Sequence, residues 1–187
     1  MDEILTAMKN LGKAAFRTRE YAALLGKKTY ARLVLHRSKE KGEITPVRNG
    51  WWAFPDAMPE AIACEMSKPC YISFHSALAL HGLTTQSPRT VQIAVLRNAK
   101  KYKIFGMEAK EYKVKQFNSF YRKDNILLAT AEKAFADCLL IPRACPDIIL
   151  IEALDKVDIN KIKTMITRIA EKRLTRLMKY AKQNRIG

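Results

Sequence analysis

Between Arg17 and Asn49 the chain gathers side chains suited to gripping a polyanion. Arg17, Arg19, Lys27, Lys28, Arg32, Arg37 and Arg48 are cations, while Thr29, Tyr30, His36 and Asn49 offer further hydrogen-bonding groups. A guanidinium can pair through two parallel bonds with a phosphate or with the O6/N7 edge of guanine, whereas an ammonium acts on phosphate as a point charge. From Lys9 to Arg48 there are 11 basic residues against 3 acidic ones. The chemistry of such a set is binding, not bond-making.

Two weaker constellations lie further on. Glu108-Ala-Lys110 and Glu111-Tyr-Lys113 both spell Glu-x-Lys on a predicted strand, the spacing a metal-dependent nuclease uses to hold carboxylates near a cation. With 34 Lys and Arg in 187 residues that spacing arises readily by chance, and no acidic partner stands on a preceding strand. Ser76, His81, Glu132, Lys133 and Asp137 form a second polar set. They would either hold the second half together through buried hydrogen bonds or form its working surface as a protein or RNA interaction module. Cys64, Cys70, Cys138 and Cys145 include no Cys-x-x-Cys, and no His-x-x-x-His completes a zinc site, so they read as buried, reduced thiols. No metal or cofactor is expected.

The elements that must position the first set follow from local punctuation. Ile4, Leu5, Met8 and Leu11 repeat at helical spacing, giving a helix over 2–11 that ends at Gly12. A short extended piece around Phe16 is placed to pair with a later hairpin. Thr18 then caps a helix closed by Gly26, and Thr29 to Lys41 forms a second helix with Ala31, Val34, Leu35 and Ser38 on one face. Beyond Gly42, two strands flank Asn49-Gly50, a strong two-residue hairpin signal. Helix, Gly turn, basic helix and hairpin together predict a winged helix-turn-helix.

In that arrangement the helix from Lys28 enters the major groove of duplex DNA by its N-terminal half. Lys28, Thr29, Tyr30 and Arg32 come nearest base edges and Arg37 lies on the backbone. Arg17 and Arg19 grip phosphate near a helix N-terminus, and Arg48 and Asn49 at the hairpin tip reach the minor groove or backbone.

Composition sets the wider bounds. The net charge of +16 and pI near 9.8 favour a polyanionic partner. The surplus is spread: 12 basic against 8 acidic residues in 1–69, 10 against 3 in 70–128 and 12 against 7 in 129–187. The N-terminal stretch is acidic and amphipathic, unlike a targeting leader, and no run approaches eighteen apolar residues. A cytoplasmic protein without membrane contact is therefore expected.

The fold class read from this pattern is α+β, with a winged domain at 1–56, a linker helix at 57–69 and a mixed α/β domain at 70–187. Pro59 fits the first turn of the linker helix. Tyr71 to Ser73 reads as a strand, followed by a helix capped by Ser73 or Ser76. His81, beside Gly82, is expected to satisfy that helix's last carbonyls.

Thr90–Leu96, Lys103–Phe105, Met107–Val114 and Asn125–Ala129 read as a small antiparallel sheet. One face would carry Val91, Ile93, Val95, Ile104 and Tyr112, and the other Arg97, Lys101, Lys103, Lys110, Lys113 and Lys115. The basic face would be either solvated or in contact with phosphate. Thr130 caps a helix over AEKAFADCLLI, another spans Ile148 to Val157, and Asp158 caps a third with Ile159, Ile162, Ile166 and Ile169 along one side. A last helix over Glu171–Gln183 packs by Leu174, Leu177, Met178 and Ala181.

With these phrases in view, the chain resembles the AbiEi family, the antitoxin and repressor components of abortive-infection toxin-antitoxin systems. FRTREYAALLG at 16–26, EKGEI at 40–44 and VRNGWWAF at 47–54 are similar to the family's winged helix. YISFHSALALHGLT at 71–84 and ATAEKAFADCLL at 129–140 are similar to its C-terminal domain. The sequence departs from the family in Trp51-Trp52, where a tyrosine is usual, and in the lysine-rich stretch 100–115. The resemblance implies autoregulation of an operon by binding double-stranded DNA, with self-association on DNA left open. It also implies that the second domain opposes a nucleotidyltransferase-like toxin, often without a stable complex.

Overall fold

The computed structural model describes residues 2–183. Its first helix, α1 (Glu3–Asn10), starts where the Asp2 carboxylate accepts from the amides of Ile4 and Leu5. The same oxygen accepts the Tyr21 hydroxyl at 3.0 Å, so one cap also ties α1 to α2 (Thr18–Leu25). Burial, reinforced by that carboxylate, pushes the Tyr21 phenol well above its ordinary pKa.

Gly26, at φ +75, takes the left-handed backbone that ends α2 and lets α3 (Lys28–Glu40) start two residues later. Strands β1 (Ala15–Arg17), β2 (Thr45–Arg48) and β3 (Trp51–Ala53) form an antiparallel sheet in the order β1-β3-β2. The extended piece around Phe16 thus pairs with the hairpin as expected: Phe16 faces Trp52 and Ala15 faces Ala53 in register.

Strand alternation gives this small sheet two employers. Phe16 packs with Leu5, Met8, Tyr21, Leu35, Ile44 and Phe54 in a compact N-terminal core. Ala15 and Ala53 belong to the larger core beyond, whose nearest helix is α4 (Pro59–Ser67). The segment expected as a linker is therefore built into packing: Ala61, Ile62, Ala63, Cys64 and Ser67 are all buried.

The second half holds β4 (Cys70–Ile72), α5 (Phe74–Leu80), β5 (Thr90–Val95), β6 (Lys101–Ile104), β7 (Met107–Lys113), β8 (Phe120–Lys123) and β9 (Ile126–Ala129). Its sheet has six strands in the order β6-β7-β5-β4-β9-β8. The small antiparallel sheet expected from the sequence is corrected on both counts. The sheet is larger, and it is mixed, because β5 runs parallel to β7 and β4 parallel to β9.

Register also corrects the expected faces. Tyr112 pairs with Ala94 and so lies opposite Ile93, whereas Glu111 pairs with Ile93 and Lys113 with Val95. The central strand β5 is buried on both faces, with Gln92 and Ala94 as enclosed as Val91 and Ile93. Lys101 and Lys110 do share a face, as expected.

Helices close the chain: α6 (Ala131–Leu140), α7 (Asp147–Ala153), α8 (Ile159–Met165) and α9 (Arg168–Gln183), with single 3-10 turns at Pro142–Ala144 and Leu154–Lys156. Thr130 and Asp158 cap α6 and α8 as read from the sequence. The isoleucine stripe does not continue. Ile166 is extended at φ −113 and ψ 161, and the Thr167 hydroxyl accepts from the Ala170 amide to open α9. Ile162 is therefore buried and Ile166 half-buried, while Ile169 is 83% exposed. Among the described residues no helix is long and apolar enough to cross a membrane.

Candidate nucleic-acid interface

The inner stripe of α3 is Ala31, Leu35 and Ser38, spaced four and three apart and all buried. Every other position from Lys28 to Arg37 except half-buried Val34 is exposed, so Lys28, Thr29, Tyr30, Arg32, His36 and Arg37 all project from one element. Lys27 stands at the N-cap without a capping bond, and the first turn holds no acid. Cations there oppose the helix dipole, at a cost of a few tenths of a kcal/mol each. An anion at the same place would offset that cost.

Arg19, Lys28 and Arg32 meet along a groove of about 460 Å³ between α2 and α3, floored by Ala22, Ala23 and Gly26. None of these cations has an ion pair or side-chain hydrogen bond among the described residues, and neither do Lys27 and Arg37. The contrast with Lys9 and Lys13 is informative. Those two pair with Asp56 and Glu20 at 2.8 and 2.9 Å. His36 lies 3.7 Å from Glu40, a loose and solvated pair.

The hairpin is locked to the start of α2. The Thr18 amide donates to the Gly50 carbonyl at 2.9 Å, and the Trp52 indole N–H donates to the Thr18 hydroxyl at 2.9 Å. Thr18 was expected to cap α2 and does not; its position is the first of the helix, and its oxygen serves the strand instead. Arg17 stacks its guanidinium 4.7 Å from the centre of the Trp51 ring, which fixes a half-buried side chain beside the groove. Arg48, exposed near the tip, lies 5.7 Å from the ring of Tyr102 on β6, and Asn49 next to it is exposed. The hairpin thereby touches the large sheet as well as the N-terminal helices.

The second polar set is only partly brought together. Lys133 Nζ lies 2.6 Å from Asp137 Oδ1, both side chains 1% exposed. Asp137 Oδ2 accepts from Ser73 at 2.7 Å and Tyr71 at 3.0 Å, two partners that the sequence reading missed. Ser73 precedes α5 as expected, but its hydroxyl leaves the helix end to reach Asp137. Burial pushes the Asp137 carboxyl above its ordinary pKa, against the pull of Lys133, Ser73 and Tyr71.

Ser76 instead bridges the Thr90 carbonyl and the Gln92 amide. His81 bonds the Ala129 carbonyl at 2.8 Å, across to β9, rather than the carbonyls of its own helix. Glu132 is half-buried and joins neither neighbour. The geometry of Lys133, Asp137, Ser73 and Tyr71 is that of a tie between α6 and β4, with both carboxylate oxygens of Asp137 accepting.

A second closed network holds Glu111. Arg97 donates to both its oxygens at 2.7 Å, and Ser67 and the Lys100 amide complete the set. Ser67 also meets the Tyr102 hydroxyl at 2.6 Å. Glu108 lies on the opposite face from Glu111 by register. Among the described residues no group of three His, Cys, Asp or Glu side chains converges on a point where a metal could sit. All four cysteines are buried and free, as expected. No model of a known protein family matches the chain, and no curated protein matches it significantly.

Proposed function

We propose that this chain is a DNA-binding transcriptional regulator whose N-terminal part is a winged helix-turn-helix. In this assignment α3 is the recognition helix, α2 its partner and the β2–β3 hairpin the wing. The observation that carries it is the row of exposed cations Lys28, Arg32 and Arg37 on α3, without an ion pair or side-chain hydrogen bond among the described residues, with Arg19 beside Lys28 and Arg32 at the α2–α3 groove. A cationic ridge held on a rigid base, with its charges unspent, suits a polyanion that supplies regularly spaced phosphates. The order of elements and the β1-β3-β2 sheet support the same view.

Lys28, Thr29, Tyr30 and Arg32 would meet base edges, with Arg37, Arg19 and Lys27 on phosphate. Arg17 and Arg48 each lean on an aromatic ring, so the wing's cations would be placed in advance of binding. Selection from a random duplex pool, followed by anisotropy titration over a salt series, tests the assignment. An enriched sequence whose affinity falls steeply with salt supports it. Binding that is indifferent both to sequence and to replacement of Lys28 and Arg32 by alanine overturns it.

We further propose a repressor of the AbiEi kind, acting in the cytoplasm and autoregulating a toxin-antitoxin operon. The support is the pair of phrases at 71–84 and 129–140, which meet in space through Ser73 and Asp137. Co-expression with the product of an adjacent nucleotidyltransferase-like gene tests it. Rescue of growth supports antitoxin action, and unrelieved toxicity restricts the protein to DNA binding.

A further inference from the structure

The break between α8 and α9 opens a cleft of about 550 Å³ at the end of β7. Its inner wall is apolar: Val114, Leu139, Leu140, Met165 and Ile166 line it, with Ile169 at the rim. A continuous α8–α9 helix would have laid Ile166 and Ile169 along one stripe; the turn at Thr167 instead leaves Ile169 open to solvent.

The charged groups around the cleft divide into spent and unspent. Asp137, at the bottom, is neutralised by Lys133. Arg173 is committed to Asp147 and to the Cys138 carbonyl at 2.7 Å. Lys113 and Lys115, two residues apart on one wall, are exposed and have no hydrogen bond or ion pair to a carboxylate among the described residues. The lining therefore keeps two positive charges beside an apolar wall.

We infer that this cleft binds a small amphipathic anion: a carboxylate carrying an unbranched apolar chain, its head at Lys113 and Lys115 and its tail against Leu139, Leu140, Met165 and Ile166. A pocket of this size with an apolar wall and a few convergent polar groups is the usual form of a small-molecule site. The two lysines set the sign of the ligand, and the wall sets its chain. The site is independent of the DNA-binding assignment, since it lies on the large sheet and the C-terminal helices.

The probe is decanoate, titrated by calorimetry into the full-length protein below the concentration at which it forms micelles. Acetate provides the head without the chain, and decanol the chain without the charge. Saturable one-to-one binding of decanoate is expected, at least tenfold tighter than either control. The double variant Lys113→Ala/Lys115→Ala should bind at least tenfold more weakly with its melting temperature unchanged. Ile169→Glu, which places an acid at the rim and in the first turn of α9 where it suits the helix, should weaken binding without loss of stability.

Lys179→Ala/Lys182→Ala removes the same charge from an exposed part of α9 and should bind decanoate as wild type. Equal losses in the two double variants would mean that the overall positive charge alone attracts the ligand, and would overturn the site. Unsaturable binding, or decanol binding as tightly as decanoate, would overturn it as well.

Discussion

The Trp52 indole N–H donates to the Thr18 hydroxyl at 2.9 Å, joining residues 34 apart in sequence and bracing the hairpin against the first turn of α2. The Thr18 amide bond to Gly50 makes the contact two-pointed. Thr18→Val keeps the shape and removes the acceptor. A stability loss of about 0.5–1.5 kcal/mol is expected, the usual net worth of one such bond. Duplex binding should weaken with it, because the wing is then free to rock. Urea denaturation and anisotropy check the two effects, and a variant identical to wild type in both would remove the brace from the account.

Arg32 and Arg48 should fail differently. Arg32 is exposed on α3 with no ion pair or side-chain hydrogen bond among the described residues, so Arg32→Ala should leave folding stability within about 0.5 kcal/mol of wild type. Its affinity loss should be about 1–3 kcal/mol and depend on duplex sequence. Arg48 rests on the Tyr102 ring near the hairpin tip, and its proposed contact is the DNA backbone. Arg48→Ala should weaken all duplexes alike and reduce the salt slope by about 1. Titrations of one preferred and one scrambled duplex at several salt concentrations separate the two patterns, and matching patterns would contradict the assignment of roles.

Which elements were legible follows from where their signals lie along the chain. The α2–α3 pair, the Asn49-Gly50 hairpin and the caps at Thr130 and Asp158 rest on local spacing and turn chemistry, and they stand where the sequence places them. The mixed sheet was not legible, because parallel pairing of β5 with β7 and of β4 with β9 is a long-range choice that no window of sequence records. Strand β8, four residues of Phe-Tyr-Arg-Lys at an edge, has no apolar alternation to announce it.

The same distinction runs through the polar sets. The i, i+4 relation of Lys133 and Asp137 is visible on one helix, whereas Tyr71 and Ser73 reach them only through the fold. Glu111 follows once the register is known, since its pairing with Ile93 places a carboxylate on an interior face, where Arg97 must meet it.

The Lys133–Asp137 tie is buried with both partners, so removing one strands the other. Asp137→Ala should cost about 3–5 kcal/mol, since the ammonium of Lys133 is left without a counter-charge. Lys133→Met/Asp137→Leu, which removes both charges at similar volume, should recover most of that loss. Chemical denaturation of the two variants decides between a structural tie and a working surface. If Asp137→Ala melted as wild type but lost the proposed antitoxin effect, the cluster would be a surface rather than a strut.

Acid should act most clearly through Asp147, which holds α7 to α9. Burial alone would raise its carboxyl, but the Arg173 hydrogen bonds and the charges of Arg173 and Arg176 outweigh that and hold it below 3.8. A carboxylate whose pKa is lower folded than unfolded binds fewer protons in the native state. Its stabilising effect is thus present above the unfolded value and is lost as pH falls below 3.8 toward the folded one. Asp137, shifted upward, works in the opposite sense, so the difference between two proteins is more telling than a single curve. Asp147→Asn should be less stable than wild type at pH 6, with the gap closing as pH falls below 3.8. Melting temperatures taken in parallel across that range test this, and a gap that stayed constant with pH would mean that Asp147 contributes by packing rather than by charge.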